Sequence, residues 1–246
     1  HVDRSIDSVQ PFIETNVDGT RVLLESIAKR TTEGVPIHFV HVSTDEVYGS
    51  LGPKDAAFTE ETPLNPQNPY AASKAASDML VQAFINTHKI SAIITRCSNN
   101  YGPRQHPEKL IPLMTLNALN NKLLPVYGNG LQIRDWIHVE DHANGVLSAM
   151  LALYVGRISS GEVFNFGADN EQKNIDIVKK IISQTSSSDS LINFVKDRPG
   201  HDKRYAMKYN KAEKVLGWKP EIDWNTGLLE TIQWYKMNPD WVNSTK

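Results

Sequence analysis

The sequence predicts an α/β fold: a doubly wound parallel sheet followed by a smaller C-terminal α+β lobe. Two observations carry this expectation. Helical and strand patterns alternate over residues 11–97, and beyond Tyr101-Gly-Pro103 the texture changes to short helices, isolated strands and turn-forming pairs such as Asn129-Gly130. Alternation of this kind implies crossover units, which build parallel sheets whose ligands bind at the carboxyl ends of the strands. The chain accordingly divides into residues 1–103 and 104–246, with some later segments completing the first sheet.

Each element has its own signal. Over residues 11–30, Ile13, Val17, Leu24, Ile27 and Ala28 recur at near-helical spacing, and Lys29-Arg30 suit the negative end of a helix dipole. Residues 36–43, PIHFVHVS, form a β-branched and aromatic run without strict alternation, as expected of a parallel strand covered on both faces. Residues 49–68 are rich in Pro, Gly, Asn and acids and read as a surface loop. Pro69 suits the first position of a helix reaching about His88, and a strand follows over residues 91–97. Residues 162–166 read as an isolated strand of the second lobe, and Ser186-Ser-Ser188 as a short flexible loop.

Composition narrows the function. With 26 Lys+Arg against 28 Asp+Glu in 246 residues, the net charge of −2 offers no general attraction for nucleic acid or an anionic membrane. The longest apolar stretch, residues 146–155, is half of the ~20 residues a bilayer span needs, and the polar start His1-Val-Asp-Arg4 is not a signal peptide. The single cysteine, Cys97, has no internal disulfide partner and lies in a strand-like run, so a reduced, cytoplasmic location is expected. The chain begins at His1 without an initiator Met and enters a helical pattern with no strand ahead of it, which reads as a start within a domain.

Several constellations could carry chemistry. Tyr70-Ala-Ala-Ser-Lys74 puts a phenol and an ammonium one helical turn apart, where the cation is expected to favour the phenolate and make a general base. A tyrosine packed at a helix start beside a solvated lysine would leave the same trace. Thr44-Asp45-Glu46 follows directly on a buried strand, and two like charges there push one carboxyl towards the neutral acid while its neighbour stays a base. The alternative is an exposed acidic loop. His138-Val-Glu-Asp-His142 lacks the His-Glu-x-x-His order of a zinc helix, so no metal is expected. Arg134 and Arg198 suit phosphate clamps or ordinary salt bridges, and Asn99-Asn100-Tyr-Gly102 either faces the same cleft or merely forms a turn. No Gly-x-Gly-x-x-Gly follows a strand; Gly128 and Gly130 lead into Leu131-Gln-Ile133 instead.

Together these motifs resemble the extended branch of the short-chain dehydrogenase/reductase family, and within it the nucleotide-sugar 4,6-dehydratases. His1-Val-Asp-Arg-Ser5, Ser43-Thr-Asp-Glu-Val-Tyr-Gly49, Tyr70-Ala-Ala-Ser-Lys74, Asn99-Asn-Tyr-Gly-Pro103, Pro107-Glu-Lys-Leu-Ile-Pro112, Arg134-Asp-Trp136 and Asp197-Arg-Pro-Gly-His-Asp202 stand in the family's order. The resemblance covers essentially the whole chain and roughly the last three quarters of such an enzyme, the first strands and their glycine-rich loop having no counterpart.

What the resemblance implies is a Rossmann-like doubly wound sheet, NAD as cofactor, and a nucleotide-diphosphate sugar, dTDP-glucose, as substrate. Thr44, Asp45, Glu46, Tyr70 and Lys74 would be catalytic. Thr15 and Asn100 would touch NAD together with Tyr70 and Lys74. Asn99, Lys109, Leu110, Arg134, Asn165, Arg198 and His201 would join Thr44 in holding the substrate. A homodimer would form through helices 11–30 and 70–88. The nearest alternatives are a UDP-glucose 4,6-dehydratase and a non-catalytic fragment that binds sugar nucleotide but holds no cofactor. Epimerases of similar sequence lack the paired acids, and similar decarboxylases tend to have Ser in place of Asp45.

Overall fold

The computed structural model describes residues 1–245. Along the chain come α1 (Val2–Asp7), α2 (Gln10–Phe12), α3 (Gly19–Thr32), β1 (His38–Thr44), α4 (Pro69–His88), β2 (Ser91–Cys97), β3 (Asn99–Tyr101), α5 (Leu110–Leu119), β4 (Leu124–Tyr127), β5 (Ile133–His138), α6 (Val139–Tyr154), β6 (Val163–Phe166), β7 (Glu171–Lys173), α7 (Asn174–Thr185), β8 (Ile192–Val195), α8 (Asn210–Leu216), α9 (Trp224–Met237) and α10 (Pro239–Ser244).

The first sheet is wholly parallel, in the order β1-β2-β6. β2 is covered on both faces, and its side chains alternate between two cores: Ala92 and Ile94 pack with Leu24, Val81 and Ile85 of α3 and α4, whereas Ile93 packs with Ala149 and Leu153 of α6. Helices on both faces make the sheet doubly wound, as expected. Residues 162–166, read from sequence as part of the second lobe, instead supply β6, because Arg96 and Cys97 of β2 pair with Asn165 and Phe166.

α4 begins where expected. Asn68 caps it by accepting the Ala71 N–H at 2.9 Å, Pro69 fills the first position, and Lys89 ends it in the left-handed conformation. The helix expected over residues 11–30 departs from regularity: a π segment, Ile13–Asp18, lies between α2 and α3. Its wider turn accompanies a bond from the Asn16 amide to Ser73 Oγ at 2.9 Å, beside the Tyr70–Lys74 face of α4. The loop over residues 49–68 is only partly a surface loop, since Leu51 and Phe58 are buried and Phe58 exchanges backbone hydrogen bonds with Ala206 and Lys208.

The chain leaves the first sheet at Cys97 and enters the second at Asn99. There β5 lies between β3, which is parallel to it, and β7, which is antiparallel. β4 and β8 form a separate parallel pair. α5, α7 and α9 surround a core of Tyr101, Ile111, Met114, Val178, Ile181 and Leu228. The register of β1 on β2 aligns Thr44 with Cys97, so both strands end at one level and open onto a cleft between the two sheets.

Candidate active site

β1 runs into a tight 3-10 turn, Asp45–Tyr48, capped by Thr44: its hydroxyl accepts the Glu46 N–H at 3.3 Å and donates to Asp45 Oδ1 at 3.2 Å. Gly49 closes the turn at φ +91°, and a Cβ there would collide with the Asn65 carbonyl. Asp45 is 3% exposed, and its Oδ2 is buried without a hydrogen-bond partner. Burial, then the neighbouring Glu46, push the Asp45 carboxyl well above the usual range. Burial also raises Glu46, but a hydrogen bond from Asn68 Nδ2 to Oε2 at 3.2 Å and the charges of Arg198 and Arg134 oppose that rise. Burial thus raises both adjacent carboxyls, Asp45 well above its usual range, and two such neighbours in one confined site suit one proton donor and one base.

α4 presents Tyr70 to this turn, with the phenol against the Thr44 hydroxyl and the Tyr70 N–H donating to Ser5 Oγ at 3.1 Å. The expectation that Lys74 depresses the phenol is overturned. Burial first, then Glu46, Cys97 and Asp45, raise the Tyr70 pKa, because a buried phenolate beside carboxylates is disfavoured. The Lys74 ammonium donates to the Val42 carbonyl at 2.8 Å, and burial lowers its pKa. An ammonium has three donors, so two remain for hydroxyl groups of a ligand beside Tyr70, which fits a ribose. Cys97 is no reactive thiol: burial, then Asp45, push it up to about 12.

The two residues expected to complete a cofactor site stand differently. Thr15 is exposed on the π segment. Asn100 is turned inward, its Nδ2 on the Ser98 carbonyl at 3.0 Å and its Oδ1 against His142 Nδ1 at 2.9 Å, so its amide is already engaged. His138 caps α6 by accepting the Glu140 N–H, so the two histidines of the His138–His142 pair serve separate roles.

Across the cleft from Glu46 lie Asn99, Lys109 and Leu110, with Arg134, Arg198 and His201. The Arg134 guanidinium is buried, donating to the Ile133 and Asp202 carbonyls at 2.8 and 2.9 Å and stacking 4.2 Å from the centre of the Tyr205 ring. Arg198 reaches Asp3 at 3.5 Å, and His201 is held by Asp197 at 2.6 Å. Asn165 does not join them. It is fully buried in β6, its Oδ1 accepts from the Tyr48 hydroxyl at 2.8 Å, and its N–H donates to Glu60, because that side of the strand faces the 3-10 turn rather than the cleft. Asn174 and Tyr205, not expected from the sequence, line the cleft instead. Asn174 opens α7 with a buried Oδ1 that has no partner; its only sequence signal is an Asn at a helix start.

A parallel sheet whose strand ends carry a Tyr-x-x-x-Lys helix and paired acids defines a Rossmann-type nucleotide-sugar enzyme. The chain belongs to the family described as GDP-mannose 4,6 dehydratase, whose model matches residues 1–231, within the extended short-chain dehydrogenases/reductases. It is 46% identical over 266 residues to a dTDP-glucose 4,6-dehydratase of Shigella flexneri, covering 100% of this chain and 72% of that protein. A crystal structure of dTDP-glucose 4,6-dehydratase from Bacillus anthracis in complex with NAD is 48% identical, with a TM-score of 0.87 over 96% of this chain and 72% of that one. The Streptomyces venezuelae dTDP-glucose 4,6-dehydratase with NAD and TYD bound gives a TM-score of 0.92 at 43% identity, over 100% of this chain and 73% of that one.

Proposed function

We propose that this chain carries the catalytic centre for NAD-dependent dehydration of dTDP-glucose to dTDP-4-keto-6-deoxyglucose, a hydro-lyase reaction. The observation that carries the reading is the pair of adjacent carboxyls on the turn after β1, Asp45 buried against the Thr44 hydroxyl and Glu46 bonded by Asn68, beside the buried tyrosine of α4. The relatives bear this activity in their names, and two of them hold NAD.

NAD, when bound, accepts the hydride from the sugar C4 and returns it to C6. The positive charge of bound NAD, together with the Lys74 ammonium, would favour the phenolate that burial and Glu46 disfavour in the unliganded site; in that form Tyr70 takes the proton of the 4-hydroxyl, and Thr44, against the phenol, shares that oxygen. Once C4 is a ketone the C5 proton is acidic, and Glu46 removes it while Asp45 protonates the departing C6 hydroxyl, which leaves as water. Glu46 then returns its proton to C5, and the proton left on Tyr70 balances the one Asp45 gave up. Lys74 would hold the nicotinamide ribose.

Arg134 and Arg198 match a diphosphate in charge and fork geometry, and Asn99, Lys109, Leu110 and His201 line the path to it. On this reading residues 1–103, with α6 and β6, form the cofactor half, and most of residues 104–246 form the nucleotide half. Exposed Ile13, Val22, Leu23 and Met79 on α3, α4 and the π segment support pairing of these helices in a homodimer, to be checked by sedimentation. No described helix is long and apolar enough to cross a membrane; the proposed cytoplasmic location rests on the single unpaired cysteine, Cys97.

Mass spectrometry of dTDP-glucose after incubation with the protein and NAD tests the reading. Loss of one water is expected; unchanged dTDP-glucose would overturn it.

A further inference from the structure

We propose that Asn68 is a positioning residue that ties the two proton-transfer centres together, one end of its amide orienting Glu46 and the other fixing the first turn of the helix that carries Tyr70. The inference rests on the reading of Glu46 as the C5 base. Asn68 is 7% exposed and sits in extended backbone immediately before α4. Its Oδ1 accepts the Ala71 N–H at 2.9 Å, and its Nδ2 donates to Glu46 Oε2 at 3.2 Å. The two partners define which way the amide points, since an N–H needs an acceptor and a carboxylate needs a donor.

A cap alone does not call for asparagine. Ser, Thr and Asp cap helices comparably, but Asp has no donor, and a hydroxyl occupied by the helix N–H is too short to reach as an amide does. Among the described residues, Asn68 is the only side chain that donates a hydrogen bond to Glu46. That bond restrains one oxygen, Oε2, of a carboxyl that lines the cleft. The charged and titratable groups around the carboxyl are Asp45 on its own turn, the His1 α-amino group, Arg134, Arg198 and Asp202 from the opposite wall, Tyr70 from α4, and Tyr205. The Asn68 amide does not titrate, so it holds Glu46 without adding charge.

The test separates cap from donor. Asn68→Ser keeps an acceptor for the Ala71 N–H and removes the donor. It should leave the thermal midpoint and the single-turnover rise of reduced-cofactor absorbance near wild type, yet slow water loss by about tenfold to a hundredfold, the worth of one hydrogen bond to a charged group. Asn68→Asp, which places a carboxylate against Glu46, should slow water loss further. Independently of any substrate, the Glu46 carboxyl followed by 13C NMR should titrate at higher pH in Asn68→Ser than in wild type. Equal slowing of oxidation and water loss in Asn68→Ser, or an unmoved Glu46 titration, would overturn the proposal. A wild-type protein inert towards dTDP-glucose would instead overturn the substrate reading, leaving the titration to decide the role of Asn68.

Discussion

The two walls of the cleft are made in opposite ways. The wall bearing Thr44, Asp45, Glu46, Tyr70 and Lys74 comes from one strand end and the next helix. It is backed by a buried network in which Arg96 donates to Asp78 at 2.9 Å and to the Tyr48 hydroxyl at 2.9 Å, with His41 against Asp78 at 3.2 Å. The facing wall gathers the start of the chain, Lys109, Arg134, Asn174 and residues 198–205, and its Arg198 and His201 pair with carboxylates that are partly open to solvent. The carboxyls of the first wall are buried, so small displacements change acidity strongly; on the second wall Arg134 is buried, but the Arg198 and His201 pairs are partly open to water, so their charges attract an anionic ligand while each of those bonds contributes little alone. Proton chemistry belongs on the first wall and ligand capture on the second.

Substitutions on the first wall should therefore alter rate, and those on the second should alter affinity. The largest loss is expected for Tyr70→Phe, which removes the acceptor of the 4-hydroxyl proton. The rise of reduced-cofactor absorbance should slow towards the upper end of the ~10²–10⁴-fold range of a positioned acid or base. Glu46→Gln should spare that rise but slow exchange of the C5 proton with solvent by about 10²–10³-fold. In wild type, water loss should weaken as pH falls through the raised Glu46 value, because the base becomes protonated, and again as pH rises through the raised Asp45 value, because the acid loses its proton.

Behind the same wall, Asp78→Asn would leave the buried Arg96 uncompensated. A stability loss of about 3–5 kcal/mol is expected, read as a lower urea midpoint. The smallest effect belongs to the other wall: Arg198→Met should raise KM several-fold with kcat nearly unchanged, and added salt should shrink the difference from wild type. A fall in kcat with KM unchanged would break the division between the walls.

The same contrast explains what the sequence reveals. Thr44-Asp45-Glu46 and Tyr70-x-x-x-Lys74 are legible because each constellation lies within one local element, and the strand over residues 91–97 is found because its buried run is continuous. Asn174 and Tyr205 are not, because tertiary packing of α7 and the 198–205 segment brings them to the cleft. Asn165 misleads for a related reason: which way a strand residue faces depends on the pairing of β6 with β2, which its own neighbours do not encode. The acidity of Tyr70 misleads because helical spacing to Lys74 is local, whereas burial and the carboxylates that raise it are not. The π segment escapes a count based on helical period, since Ile13 and Val17 keep their spacing through it.

The most direct test of the acid/base division is single turnover of the Asp45→Asn protein with dTDP-glucose and NAD, following cofactor absorbance and sugar mass together. Reduced cofactor should accumulate and persist while water is retained, with elimination slower by about 10²–10⁴-fold. Water loss at the wild-type rate, with no accumulated reduced cofactor, would contradict the assignment of Asp45 as the proton donor.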